Sequence, residues 1–477
     1  MVRHKKMYIG GELVEGQARL DVVNPATEDC VATVAAAGLD DVNKALKAAR
    51  AAAPGWAATP VAERQRWMLK LRGAVIANQE MLRECIHQEM GKPWGGTQED
   101  FDLLERSLKF YAEEFQRVHD ETLRDLDGTH DHRILYEPVG VAVAYLAWNF
   151  PLLNLAYKIA PAMAAGCPVI IRPSAATPVS AYAVGELCQE IGLPAGVVNI
   201  LTTDGYGPSD ALAASTIPNL ITLIGSTKTG RHLMKVGATS IKKFSMELGG
   251  NAPVLIYRDA DLDLAAEIVT TLKFNNAGQI CVTPNRVFVE REVHDAFRDK
   301  VVARARAAKV GFDREADILT GPMIDRRAWA RVKGLIDEAV EKGATLLAGG
   351  DRPEGLETGH FLAPTVLDQV TPEMRIYQDE IFGPVVSLIP FDDREAVLDR
   401  ANDGEEGGLA SYIFTADLAL AEAVAKRLRY GEVQINGVKY DIYLPHGGIG
   451  QSGIGHDCSR LALNDYLVVK RISRGLI

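Results

Sequence analysis

Between residues 40 and 92, and again from 98 to 118, apolar side chains recur at intervals of three and four among charged ones, which aligns them along one face of a helix. An α-rich N-terminal layer is expected there. Residues 122–126 and 133–137 read instead as short strands flanking Asp127-Gly128, the pattern of a β-hairpin, and this hairpin is too polar to be core. After Gly140, apolar runs alternate with helical segments: VAVAYLA, a helix from Pro151, PVIIR, a helix from Thr177, GVVNIL, then LITLI and a helix from Thr227. Such alternation predicts a parallel sheet with crossover helices. A second alternation begins with PVLIY near Ala252, passes through a helix from Asp261, and includes RVFVE, PVVSLIPF and a last strand-like YLVVKRIS. The expected fold class is α/β, with two parallel-sheet domains joined near Gly249-Gly250.

Composition narrows the function. The 477 residues are 47% hydrophobic and 24% charged, enough for a large core, and the formal net charge of −11 argues against a nucleic-acid partner. The six cysteines are scattered, with no C-x-x-C and no zinc-like pairing with histidine, so neither a disulfide framework nor a metal is expected. His130-Asp131-His132 sits beside a turn, where such polar residues collect anyway. The basic start, Met1 to Lys6, is followed by no apolar run fit for a signal peptide, and no stretch approaches the roughly 20 apolar residues of a membrane span. A cytoplasmic protein without membrane contact is expected.

A nucleotide site is not announced by a fingerprint. The G-x-G-x-x-G at Gly448, Gly450 and Gly453 comes too near the chain end to open a βαβ unit. In LITLIGSTKTGRHLMK, Gly225 ends a strand and Arg231-His232 replaces the Lys-Ser/Thr of a P-loop. Backbone N–H groups there, with the Ser226 hydroxyl, suit a diphosphate without metal; a plain helix cap is the alternative.

Elsewhere, polar groups stand where a packed core would not want them. AWNFP places Asn149 after an apolar strand and before Pro151, a good first-turn residue. MELGGN sets Glu247 beside two glycines that permit close approach, and DEIFGPV puts Glu380 and Phe382 ahead of another strand. Each alone reads as a turn amide or a surface carboxylate. With Cys281 in FNNAGQICVTPNR they supply a nucleophile, an oxyanion donor and a base, the set that covalent acyl chemistry needs.

AWNFP, GSTKTG, MELGGN, NAGQIC and EIFGPV, in this order, resemble the NAD(P)-dependent aldehyde dehydrogenase superfamily from about Tyr8 to the C-terminus. The resemblance implies a dinucleotide-binding domain (1–118 and 139–248), a catalytic domain (249–456) and an oligomerisation element (119–138 and 457–477), in a homodimer or homotetramer. It implies that Cys281 attacks the aldehyde, that Asn149 and the Cys281 N–H hold the oxyanion, and that Glu247 activates the hydrolytic water. Lys158 matches a lysine that assists proton movement, with a structural ion pair as the alternative. NAD or NADP would be held by Trp148, Arg172, Ser174, Ala175, Gly225, Ser226, Leu248, Glu380 and Phe382.

The same resemblance gives an aldehyde tunnel of Phe150, Leu153, Asn154, Tyr157, Ile280, Val282 and His446. Many relatives carry tryptophan at Tyr157 and an aromatic at His446, so this pocket is more polar, as in lactaldehyde-type members. Succinate-semialdehyde enzymes commonly carry arginine where Tyr157 stands; its absence weakens a dicarboxylate reading without removing it. Glu247 favours a free acid product over CoA-acylating chemistry, and the intact Cys281, Asn149 and Glu247 argue against a binding protein without turnover. Ala175 stands where NAD-preferring relatives often carry a glutamate, and Arg172 where lysine is usual, so use of both NAD and NADP is expected, unless Arg172 is merely a helix-flanking surface arginine.

Overall fold

In the computed structural model, which describes residues 3–314, 317–404 and 407–476, the first alternation forms the expected sheet. Strands Ala142–Tyr145, Val169–Arg172, Val198–Ile200, Leu220–Ile224 and Lys243–Glu247 run parallel. Ala142–Tyr145 lies in the middle, with the next two strands on one side and the last two on the other. The winding therefore reverses beside Ala142–Tyr145, and open α/β sheets take ligands at the carboxyl ends of the strands at such a reversal. The strands are apolar throughout because both faces are covered; Ala142, Val143, Ile170 and Ile221 are fully buried. Antiparallel pieces close the edges, Met7–Ile9 with Glu12–Val14 at one and Gly453–Ile454 at the other.

The second alternation forms a seven-stranded sheet in the order Thr345–Ala348, Thr365–Asp368, Val385–Phe391, Pro284–Glu290, Ala252–Ile256, Ala410–Phe414 and Glu432–Ile435. Only the edge strand Thr345–Ala348 is antiparallel. Gly249-Gly250 links Lys243–Glu247 of the first sheet to Ala252–Ile256 of the second. The return of Gly453–Ile454 to the first sheet, out of a segment expected to stay with the second, was not visible in the sequence.

The helical spacing near the N-terminus resolves into Leu39–Ala58, Val61–Ala77, Gln79–Met90 and Thr97–Glu114. Before them the chain makes strands that the pattern did not predict. Ala18–Val23 and Arg3–Lys5 pair with Cys30–Ala37 on its two sides. Cys30–Ala37 reads CVATVAAA, and alanine's low strand preference hides an element that burial and pairing impose. The polar hairpin is Glu121–Arg124 with His130–Pro138, and Leu467–Gly475 pairs along the whole of the latter. Among the described residues no helix is long and apolar enough to cross a membrane.

Candidate active site

A cavity of about 1610 Å³ opens where the carboxyl ends of the first sheet meet the amino ends of the second. Cys281 reaches it from the loop between helix Leu262–Phe274 and strand Pro284–Glu290. That loop holds a run of left-handed residues, Asn276 (φ +51°), Ala277 (φ +52°) and Gly278 (φ +69°). Each non-glycine in that region costs about 1–3 kcal/mol, so the surroundings must impose it. A Cβ on Gly278 would lie 2.2 Å from the Gly383 carbonyl oxygen, which leaves room only for glycine. Buried Gln279 braces the turn: its amide donates to Asn276 O (3.0 Å) and Pro322 O (3.1 Å), and its Oε1 accepts from Ile324 N (2.9 Å).

Asn149 is tied to the same loop. Its Nδ2 donates to Gln279 O (3.1 Å), and its own carbonyl accepts from Asn276 Nδ2 (3.0 Å). Asn154 donates to the Asn149 Oδ1 (3.3 Å), so a residue predicted only to line the tunnel also orients this amide. Glu247 ends its strand between Ile224 and Gly453, and its carbonyl accepts from Gly225 N (3.0 Å). Its carboxylate is buried and Oε1 has no hydrogen-bond partner.

His446 completes the group. Its Nδ1 lies 2.6 Å from Glu432 Oε1, and its Nε2 lies 3.6 Å from Glu247 Oε1. Atoms of Cys281, Glu247 and His446 lie within 4.8 Å of one another. Burial, and next the Glu247 charge, push the Cys281 thiol above the ordinary cysteine range, while His446 pulls it down. Burial opposes a charge on His446, but Glu432, Cys281 and Glu247 outweigh it and raise its pKa. Glu432 escaped the sequence reading because nothing local marks an acid at the start of an edge strand.

Every tunnel residue expected from the sequence lines the cavity, and so do Trp148, Arg172, Ser174, Ala175, Gly225, Ser226, Glu380 and Phe382. Trp148 and Phe382 meet edge to face with ring centroids 5.5 Å apart. Glu380 leans on the glycine pair, accepting from Gly250 N (3.3 Å), and a Cβ on Gly249 would lie 2.6 Å from its Oε2. Gly249 thus admits a carboxylate, while at Gly250 the close approach is to backbone, a Cβ there lying 3.2 Å from the Cys281 carbonyl oxygen. The Ser226 hydroxyl caps its own helix, accepting from Thr229 N (3.2 Å). Two expected residues lie away from the cavity lining. The Lys158 ammonium is fully buried in a pair with both Asp457 oxygens (2.6 and 2.8 Å), the structural alternative noted from sequence. Leu248 packs under Gly230, and its N–H donates to Ser452 O (2.9 Å).

Arg172 differs from its neighbours. Its Nη2 makes one long bond to Thr203 Oγ1 (3.4 Å), its buried Nε has no partner, and it forms no ion pair among the described residues. Burial lowers its pKa, yet guanidinium remains charged in proteins.

A family model described as the aldehyde dehydrogenase family matches residues 13–472. The chain is 37% identical over 470 residues to a glutarate-semialdehyde dehydrogenase of Pseudomonas putida, covering 98% of this chain and 97% of that one. It is 37% identical over 455 residues to a 3-sulfolactaldehyde dehydrogenase of Pseudomonas putida, covering 95% and 93%. A crystal structure of an E. coli NADP-dependent enzyme superposes with a TM-score of 0.96 at 35% identity, covering 99% and 98%. Likeness of this extent in both sequence and fold bears out the resemblance carried by the five motifs: the chain is an enzyme of the aldehyde dehydrogenase family.

Proposed function

We propose that this enzyme oxidises a small, uncharged, hydroxylated aldehyde to its carboxylic acid, using NAD or NADP. One observation carries the substrate class: among the described residues, the aldehyde side of the cavity, from Phe150 and Tyr157 to Ile280, Val282 and His446, offers no lysine or arginine. Apart from Arg172, the arginines elsewhere in the lining are committed, Arg286 to Asp403 and backbone carbonyls, Arg331 to the Glu380 and Ile381 carbonyls, and Arg375 to Asp379. Two carboxylates flank His446, so a second anion on the substrate would meet net negative charge. A hydroxyl fits better.

The residues also fit a nicotinamide dinucleotide. The unpaired Arg172 and the cavity-facing Ser174 and Ala175 suit the adenosine end; Glu380, Trp148 and Phe382 suit the nicotinamide end. Cys281 Sγ bonds to the aldehyde carbon, and the Asn149 amide with the Cys281 N–H holds the oxyanion. Glu380, Trp148 and Phe382 would hold the nicotinamide, which when bound would supply the acceptor for the hydrogen and electron pair of that carbon. Glu247 then takes a proton from water, the oxygen bonds to the thioester carbon, and the C–S bond breaks to release acid and thiolate.

Turnover of short hydroxy-, oxo-acid and aliphatic aldehydes with both cofactors tests this reading. A 2-hydroxyaldehyde should exceed succinate or glutarate semialdehyde in kcat/KM by about tenfold or more. The names of relatives favour a semialdehyde, and the reverse order would establish that alternative instead.

We assign the dinucleotide-binding unit to 1–118 and 139–248, the catalytic unit to 249–456, and oligomerisation to 119–138 and 457–477. Leu467–Gly475 is an edge strand with Val468, Val469 and Ile472 exposed, which supports pairing between copies in a dimer or tetramer. A monomer by light scattering at micromolar concentration would overturn it. The six free cysteines, Cys281 among them, support a cytoplasmic setting.

A further inference from the structure

Glu432, His446 and Cys281 stand in the order carboxylate, imidazole, thiol. The close contact of Nδ1 with Glu432 Oε1 (2.6 Å) fixes the tautomer: Nδ1 carries the proton, and the Nε2 lone pair faces Cys281 and Glu247. Glu247 Oε1, at 3.6 Å from Nε2, is itself without a hydrogen-bond partner; in the neutral ring both atoms are acceptors, and the Cys281 thiol, within 4.8 Å of each, is the proton donor of the group. From this arrangement, and resting on the reading of Cys281 as the nucleophile, we propose that His446 is a catalytic residue that takes the Cys281 proton, with Glu432 as its positioning residue.

The step is a proton transfer alone. The Sγ–H bond breaks, Nε2–H forms, and Nδ1–H stays on Glu432, giving a thiolate beside an imidazolium; no electrons are exchanged. Expulsion of the thiolate from the thioester restores the same pair. The work is then divided between two bases, His446 for the thiol and Glu247 for water.

The surroundings support the pair. His446 is flanked by Tyr157 and Tyr440, with ring centroids 6.1 and 6.2 Å away, and burial raises both phenols so that they stay neutral. Its main chain pairs with Asp457 (2.8 and 2.7 Å), whose carboxylate is neutralised by Lys158. Burial pushes the nearby Cys458 thiol up to about 12, so it is uncharged. Glu247 and Glu432 are the remaining carboxylates facing the ring, and both favour the imidazolium.

The test is carbamidomethylation of Cys281 by iodoacetamide from pH 5 to 10, read by peptide mass spectrometry on enzyme free of substrate. Burial and Glu247 hold the thiol up, so the wild-type rate should still climb with pH above neutrality, whereas the His446→Phe profile should be displaced to higher pH and lie about 10²-fold lower at pH 7, each pKa unit costing tenfold in thiolate. Glu432→Gln should fall between them, and it decides the matter if His446→Phe does not fold. Superimposable profiles for wild type and the folded variants would overturn the proposal. The readout needs neither aldehyde nor cofactor, so it is separate from failure of the dehydrogenase reading, which a Cys281→Ser variant with wild-type turnover would signal.

Discussion

The two ends of the cavity handle charge in opposite ways. At the aldehyde end the ionisable groups answer one another: His446 lies between Glu432 and Glu247, and Lys158 is locked to Asp457 behind them. At the end proposed for adenosine, Arg172 has no carboxylate partner among the described residues, and Ala175 supplies none. The contrast follows from what each end must do. Covalent chemistry creates and moves charge on the protein itself, so the counter-charges are built in; a site for an anionic ligand leaves its cation open for the ligand to pair.

Removing the nucleophile breaks the aldehyde end most severely. Cys281→Ser should abolish dehydrogenase turnover while cofactor affinity, measured by fluorescence titration, stays within about twofold, since serine is nearly isosteric and acts only in chemistry. Substantial remaining turnover would sink the covalent mechanism. Next in size, Asn149→Ala should slow the first burst of reduced cofactor by roughly 10²–10³ through loss of one oxyanion donor. Glu247→Gln should keep a burst and stall afterwards, because hydrolysis follows oxidation. The opposite pattern in rapid-mixing kinetics would exchange the two roles.

A smaller effect tests how the aldehyde end is held. Gln279→Ala removes the amide that spans Asn276, Pro322 and Ile324; Asn276 O keeps the Gln279 main-chain N–H (3.1 Å), while Pro322 O and Ile324 N lose their side-chain partner at about 1–3 kcal/mol each. Thermal unfolding should move down by several degrees, with the burst slowed as well; an unchanged burst would mean the left-handed turn is held by other contacts.

What the sequence disclosed follows the range of the interactions. The parallel sheets were legible because burial on both faces leaves continuous apolar runs, as in LITLI and PVLIY. Asn149, Glu247 and Cys281 were legible because each stands at a strand boundary in a short recognisable stretch, and the structure brings all three into one cavity. Contacts made across the chain were not. Lys158 meets Asp457 299 residues away, and no local feature of either residue marks the pair. Glu432 is only 14 residues before His446, yet the contact depends on an edge strand and a returning loop whose path no periodicity encodes. Cys30–Ala37 was missed for the opposite reason: its local composition is a poor guide to its pairing.

The adenosine end should respond most mildly, and there the comparison can be inverted by design. Ala175 lines the cavity three residues beyond Arg172. In Ala175→Glu a carboxylate would accept from the ribose hydroxyls of NAD, repel a 2′-phosphate and neutralise the open guanidinium, making this end self-compensated like the other. Preference should shift toward NAD by about 1–3 kcal/mol, the combined scale of regained hydrogen bonds and charge repulsion at partly exposed sites. The change should fall mainly on NADP, because Arg172 is a planar fork suited to phosphate and, beyond its long bond to Thr203, forms no ion pair among the described residues. The measurement is kcat/KM for both cofactors in wild type and variant. A wild type with no detectable rate on NADP would show that the unpaired arginine does not serve a 2′-phosphate, whatever the variant does.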